Sequence, residues 1–234
     1  MILENYYQID NDLIRVSREQ ASNFAKRIAN DFNPLHDVDS KRFCVPGDLL
    51  FSVMLDRYGL SQHMRFVFSG MVNDKIPLNL PDTDAAHLVI RDNNGKEYLS
   101  MERDGSSTHD KSVIDALIRV YVAFSGRAFP HILVPLMEQH QVMINPDRPL
   151  IIYDSMELKL EHLNLQDPQL ELSESRLEVK GKRGEAQLLF AINDGGNIVG
   201  HGTKNMVLGG LRAFDTDKMK QVVDIYRQRQ ENLT

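Results

Sequence analysis

The hydrophobic positions change period along the first half of the chain. Residues 17–30 open with Ser17, a candidate N-cap, and then repeat apolar residues at the spacing of one helix face. Residues 48–59 are apolar on nearly every side, which is typical of a helix enclosed by other structure. The pattern then alternates as strands do. These strands are predicted over residues 62–72, 75–80, 84–92 and 96–103.

The second half repeats this order of elements with little sequence identity. Ser112 is predicted to cap a helix with an apolar stripe that reaches Phe124, and a short apolar segment follows from His131 to Met137. Alternating strands come next, and a polar helix over residues 216–231 closes the chain. We therefore predict an α+β protein built from two similar units. Two unrelated α+β units are the alternative.

These patterns predict three parts of the chain. Residues 1–105 would form the first unit, which carries the candidate chemistry, and residues 106–214 the second. Residues 215–234 would form the C-terminal helix. The segment 106–110 is the expected linker between the two units.

Composition excludes several classes of protein. With 234 residues, 42% of them hydrophobic, the chain can bury a sizeable core. A net charge of −6 argues against nucleic acid as the main partner, because phosphate binding requires a basic surface. A single cysteine, Cys44, excludes an internal disulfide framework. We expect a cytoplasmic protein that has no membrane segment, signal peptide, cofactor or metal site.

The candidate chemistry lies directly after the first helix, in the segment Asp31-Phe32-Asn33-Pro34-Leu35-His36. A carboxylate and an imidazole five residues apart, on a loop held by Asn-Pro, can converge on one water molecule. Gly47 lies at the start of the predicted buried helix. Ordinary turn chemistry is the alternative reading of Asp31 and Asn33.

This segment resembles the Asp-x-Asn-Pro-x-His core of the MaoC-like, (R)-specific enoyl-CoA hydratases (hydratase-2). The resemblance implies a double hotdog fold and the addition of water to a 2-enoyl thioester, or its removal from a 3-hydroxyacyl thioester. The thioester would be carried by CoA or acyl carrier protein. By resemblance, Asp31 and His36 are the acid/base pair, Asn33 fixes the loop and the water, and Gly47 donates to the thioester carbonyl.

The surroundings of the motif differ from those of typical hydratases. The segment between His36 and Gly47 is shorter, and Asp48 brings a carboxylate next to the proposed donor. We expect Asp48 to cap the helix, since a negative charge is favourable there. Substrate contacts are predicted for Pro34, Asp48, Leu49, Lys41 and Arg42. A solvated basic patch is the alternative for Lys41 and Arg42.

The second half supplies no catalytic pair. Arg127 and Phe129 stand where the first half has Asp31 and Asn33, and His131 comes one position early. At most one active site per chain is therefore expected, in the first unit. A non-catalytic acyl-thioester or fatty-acid binding protein and a hotdog thioesterase are the alternatives. Two units already form a pseudo-dimer, so a monomer and a homodimer both fit. The whole chain is also similar to double hotdog proteins of gammaproteobacteria, which implies nothing about substrate.

Overall fold

A computed structural model describes residues 2–10 and 12–233 of the chain. Its helices are α1 (Arg18–Arg27), α2 (Gly47–Tyr58), α3 (Lys111–Gly126), α4 (Ala128–His131), α5 (Leu133–Gln139) and α6 (Thr216–Glu231). The strands before α3 are β1 (Gln8–Asp10), β2 (Leu13–Arg15), β3 (Leu60–Phe68), β4 (Leu78–Asn79), β5 (His87–Asp92) and β6 (Glu97–Thr108). The strands after α5 are β7 (Val142–Met143), β8 (Ile151–Leu160), β9 (Gln169–Lys180), β10 (Arg183–Asp194), β11 (Asn197–Gly209) and β12 (Arg212–Ala213).

Ten strands form one antiparallel sheet in the order β1-β2-β4-β5-β6-β3-β8-β11-β10-β9. The two halves join at the β3–β8 pair, in which Met64 lies opposite Leu158. Outward from this seam the strands follow the same pattern, β3-β6-β5-β4 in the first half and β8-β11-β10-β9 in the second, whereas β7 and β12 pair in a separate two-stranded sheet. The shared topology makes the protein a double hotdog and confirms the predicted α+β class.

Helices α2 and α3 lie antiparallel on the sheet. Phe51 of α2 packs edge-on against Phe66 of β3, with ring centroids 5.0 Å apart, and against Tyr121 of α3 at 4.6 Å. Near the other end of the pair, Lys111 Nζ lies 2.6 Å from Asp56 Oδ1. This arrangement places the N-terminus of α2 beside the C-terminus of α3.

Several element boundaries differ from the sequence predictions. The N-cap of α3 is Asp110 and not Ser112, because the Asp110 carboxylate accepts a hydrogen bond from the Ser112 N–H. Strand β6 continues through most of the predicted linker, since Thr108 still pairs with Leu60 of β3. Strand β9 lies at the sheet edge and most of its residues are exposed, so it has little hydrophobic alternation. No helix in residues 2–10 and 12–233 is long and apolar enough to cross a membrane.

The C-terminus of α3 touches the backbone of the first half. A Cβ added to Gly126 would lie 1.6 Å from the Ala29 carbonyl oxygen. Only a residue without a side chain permits this approach. The contact brings the end of α3 to the segment that leads into Asp31.

We expect Gly126→Ala to destabilise the fold by about 3 kcal/mol, because the backbone of α3 must move away from Ala29. Gly195→Ala is the control, since its Cβ would meet open space at a φ of +57°. It should cost only the left-handed backbone penalty, about 1–2 kcal/mol. Urea denaturation followed by circular dichroism measures both, and a smaller loss at Gly126 than at Gly195 would contradict the contact.

Candidate active site

A cavity of about 550 Å³ is lined by residues from both halves and from α6. Most of its wall is apolar, with Phe68 and Val72 from the first half, Ile151 and Met206 from the second, and Val222 from α6. The polar part of the wall includes Asp31, Asn33, His36, Asp48, Ser125 and Lys204. The cavity therefore combines a predominantly apolar surface with a few ionisable groups.

The loop after α1 is held by its own hydrogen bonds. Asp31 Oδ1 accepts from the Asn33 N–H at 2.9 Å, and Asn33 Oδ1 accepts from the Leu35 N–H at 3.1 Å. Asn33 thereby caps a 3₁₀ turn over Pro34–His36. These are the turn hydrogen bonds that the sequence offered as the alternative reading of Asp31 and Asn33. They also orient Asp31 and His36, the two ends of the motif.

A main-chain carbonyl sets the tautomer of His36, that is, which ring nitrogen carries the proton. Cys44 donates its N–H to the Leu35 carbonyl at 2.9 Å, which brings its own carbonyl oxygen within 2.7 Å of His36 Nδ1. Because a carbonyl only accepts hydrogen bonds, Nδ1 carries a proton. The other nitrogen, Nε2, lies 3.6 Å from Asp31 Oδ2. A neutral His36 therefore presents an unprotonated Nε2 on the Asp31 side.

Burial raises the pKa of Asp31 above its usual value, whereas His36 and the Asn33 N–H oppose that rise. The Asp31 side chain keeps 23% of its surface and lines the cavity. The carboxyl, with its raised pKa, and the imidazole that it faces form a pair that can exchange a proton with a bound molecule.

The structure corrects the prediction for Asp48. Helix α2 begins at Gly47 as predicted, yet no side chain caps it. Asp48 Oδ1 instead lies 3.2 Å from Lys204 Nζ, and Oδ2 accepts from Ser125 Oγ at 2.5 Å. Lys204 also donates to Ser125 Oγ. We call Asp48, Ser125 and Lys204 the buried triad; its contacts to the Asp48 carboxylate are charge-assisted.

An aromatic side chain covers Gly47. A Cβ at this position would lie 2.5 Å from Tyr153 Cδ1, so a larger residue would displace the ring. The hydroxyl of Tyr153 contacts that of Tyr121, and Lys204 Nζ lies 3.8 Å from the centroid of the Tyr153 ring. Burial, followed by the nearby Asp48 carboxylate, raises the pKa of Tyr153, so this phenol stays neutral.

Helix α6 is tied to the segment that carries Asp31. The Tyr226 hydroxyl accepts from the Phe32 N–H at 3.1 Å and lies 3.3 Å from the Asn30 carbonyl oxygen. Arg229 Nη1 lies 2.7 Å from Asp37 Oδ2. Burial first, then the Asp31 carboxyl, raises the pKa of Tyr226. The C-terminal helix therefore forms part of the cavity wall and does not stand apart from it.

The cavity brings together most of the residues that the sequence singled out. Asp31, Asn33, Pro34, His36, Gly47 and Asp48 all line it. Leu49 lies fully buried in the main core, and Lys41 and Arg42 do not line the cavity.

Sequence reasoning missed Ser125, Tyr153, Lys204 and Tyr226. One signal was available for Lys204. It occupies an inward-facing position of β11, on the same face of the strand as Met206 and Leu208. A charged residue buried there requires a partner.

Residues 1–217 match the model of a protein family described as "Protein of unknown function (DUF3581)". The match ends two residues into α6. No curated protein matches the chain.

Several solved structures are similar to this chain at low sequence identity. A conserved protein of unknown function with hot dog fold from Alicyclobacillus acidocaldarius has 10% identity and a TM-score of 0.48, covering 89% of this chain and 98% of that one. A MaoC-like dehydratase has 9% identity and a TM-score of 0.43, with coverage of 86% and 97%. The acyl-CoA thioesterase II TesB2 from Mycobacterium marinum has 11% identity and a TM-score of 0.38, with coverage of 92% and 99%. These likenesses are too distant to bear on activity.

The raised pKa of Asp31 predicts a pH-dependent gain in stability for Asp31→Asn. The charged carboxylate costs the fold free energy above its folded-state pKa, and that cost is absent below the ordinary value of 3.8. The variant keeps an Oδ1 acceptor for the Asn33 N–H. Its melting temperature should therefore exceed that of the unmodified protein at pH 7, and the difference should shrink toward pH 4.

Asp39→Asn is the control for this experiment, because Asp39 is an exposed carboxylate in the same segment. It should show no comparable gain. Equal pH dependence in the two variants, measured by calorimetry from pH 4 to pH 8, would contradict the raised pKa of Asp31.

Proposed function

The chain belongs to the family described as "Protein of unknown function (DUF3581)", and we propose for it a hydratase or dehydratase activity on acyl thioesters. Water would be added to a 2-enoyl thioester or removed from a 3-hydroxyacyl thioester. The observation that carries the proposal is the Asp31–His36 pair, whose facing atoms are 3.6 Å apart at the wall of an apolar cavity.

The pair has the geometry for acid/base work on one water molecule. A separation of 3.6 Å is too long for a direct hydrogen bond, yet a single water can contact both Asp31 Oδ2 and His36 Nε2. As the water oxygen bonds to C3 of the enoyl group, one of the two side chains takes its proton. The partner side chain or the same one delivers a proton to C2. Nε2 is the ring nitrogen available for this exchange, since Nδ1 is engaged with Cys44.

The start of α2 supplies a site for the negative charge that develops on the thioester oxygen. The first N–H groups of a helix lack partners within the helix and favour an anion. Gly47 is the first residue of α2 and lines the cavity. Its N–H would hold the enolate oxygen while C2 awaits its proton.

The rest of the cavity suits an acyl chain. Its wall is mostly apolar and includes residues of α6, so a hydrocarbon chain would leave water there. The thioester would be carried by CoA or by acyl carrier protein. A homodimer is compatible with the double hotdog and is not required by it.

Turnover on a panel of trans-2-enoyl-CoA thioesters of different chain lengths tests the proposal. We expect Asp31→Asn and His36→Gln each to lower kcat/KM by about 10²–10⁴-fold, the contribution of a positioned acid or base. Asp39→Asn and His201→Gln are the matched controls, because both change exposed side chains outside the cavity. Both controls should keep full activity.

Other results would select another function. Binding of acyl thioesters without turnover, unaffected by Asp31→Asn combined with His36→Gln, would indicate a non-catalytic binding protein. Release of free thiol without hydration would indicate a thioesterase. Hydration that survives Asp31→Asn at full rate would refute the role of the pair.

A further inference from the structure

We propose that Lys204, supplied by the second half, is a positioning residue that compensates Asp48 and so sets the charge experienced by Asp31 in the first half. The inference rests on the proposed function insofar as Asp31 exchanges protons with a substrate. It assigns a task to the half that lacks a catalytic pair.

The buried triad pairs a carboxylate with an ammonium in the interior. The side chains of Lys204 and Asp48 retain only 5% and 9% of their surface. Asp48 is the second residue of α2, where the helix dipole favours an anion. Ser125, which accepts from Lys204, is the second-last residue of α3, where the dipole favours a cation. The antiparallel arrangement of α2 and α3 thus brings opposite helix ends to one ion pair.

Lys204 is fully engaged with protein groups. It donates to Asp48 and to Ser125, and its remaining side faces the Tyr153 ring at 3.8 Å. No buried side-chain polar atom in the described part of the chain lacks a hydrogen-bond partner. Two of the three N–H groups of the ammonium are used in the bonds to Asp48 and Ser125, and the Tyr153 ring takes up its remaining side, so we expect Lys204 to act through its neighbours.

The triad lines the same cavity as Asp31, so its charges act on the Asp31 carboxyl. The Asp48 carboxylate raises the pKa of Asp31, whereas the Lys204 ammonium lowers it, so the two contributions oppose each other while the pair is intact. The other groups that act on this carboxyl are His36, the Asn33 N–H and, from α6, the Tyr226 hydroxyl.

Without Lys204, an uncompensated carboxylate would stand next to Gly47. It would favour the protonated form of Asp31 and repel an enolate oxygen held at the start of α2. The carboxylate that looks unfavourable in the sequence is therefore tolerable because the second half supplies its counter-charge.

The test compares Lys204→Met, Asp48→Asn and the double variant in the full-length protein. The Asp31 carboxyl is titrated by ¹³C NMR without substrate, and the pH profile of kcat/KM is recorded for trans-2-enoyl-CoA. We expect Lys204→Met to raise the titration midpoint of Asp31 and lower kcat/KM about tenfold or more at pH 7. Asp48→Asn should lower the midpoint. The double variant should return it close to the original value and restore kcat/KM to within about threefold.

Lys159→Met is the control, because Lys159 forms a surface pair with Glu157 and is 63% exposed. It should change neither readout. An unchanged Asp31 midpoint in Lys204→Met, or a double variant as impaired as the single one, would overturn the inference. Should Lys204→Met not fold, Asp48→Asn decides alone: a midpoint that does not fall refutes the proposal.

The two proposals fail in different ways. If the midpoints move as expected but no form of the protein hydrates an enoyl thioester, the proposed function is wrong and the charge compensation stands. If the unmodified protein hydrates an enoyl thioester but the midpoints do not move, the charge compensation is wrong and the proposed function stands.

Discussion

The buried pair between Lys204 and Asp48 is the interaction on which the arrangement of the site depends. It joins β11 of the second half to the start of α2 in the first, with Ser125 of α3 as the bridge. Breaking a buried pair by removing one partner typically costs about 3–5 kcal/mol, because the remaining charge stays desolvated. This contact adds to the β3–β8 pairing that joins the two halves, and it shapes the electrostatic environment of Asp31.

Two close approaches support this junction from either side. Gly126 lets the end of α3 reach the Ala29 carbonyl, and Gly47 lets Tyr153 lie against the start of α2. Neither glycine is needed for a left-handed backbone angle; each is needed because another group occupies the space of a side chain. The cavity is therefore shaped by interior contacts between halves and not by a single loop.

Local patterns predicted much of the fold. The apolar run over residues 48–59 identified α2, and the polar helix over 216–231 coincides with α6, because helix period and capping are properties of neighbouring residues. The Asp31–His36 segment could be recognised for the same reason. The partners of Asp48 could not, since Ser125 and Lys204 lie 77 and 156 residues away and meet it only through tertiary packing. Capping, the best local interpretation of Asp48, was wrong because its carboxylate instead contacts Lys204 and Ser125.

The acceptor that sets the His36 tautomer is the main-chain carbonyl of Cys44. This determines which substitutions can alter the site. A substitution at residue 44 that preserves the backbone leaves that oxygen in place, so it does not alter which ring nitrogen carries the proton. The orientation of the imidazole therefore depends on the backbone conformation of the loop and not on the side chain at residue 44. Loss of the pair would require a change at Asp31 or His36 itself, or a change in loop length that moves the carbonyl away.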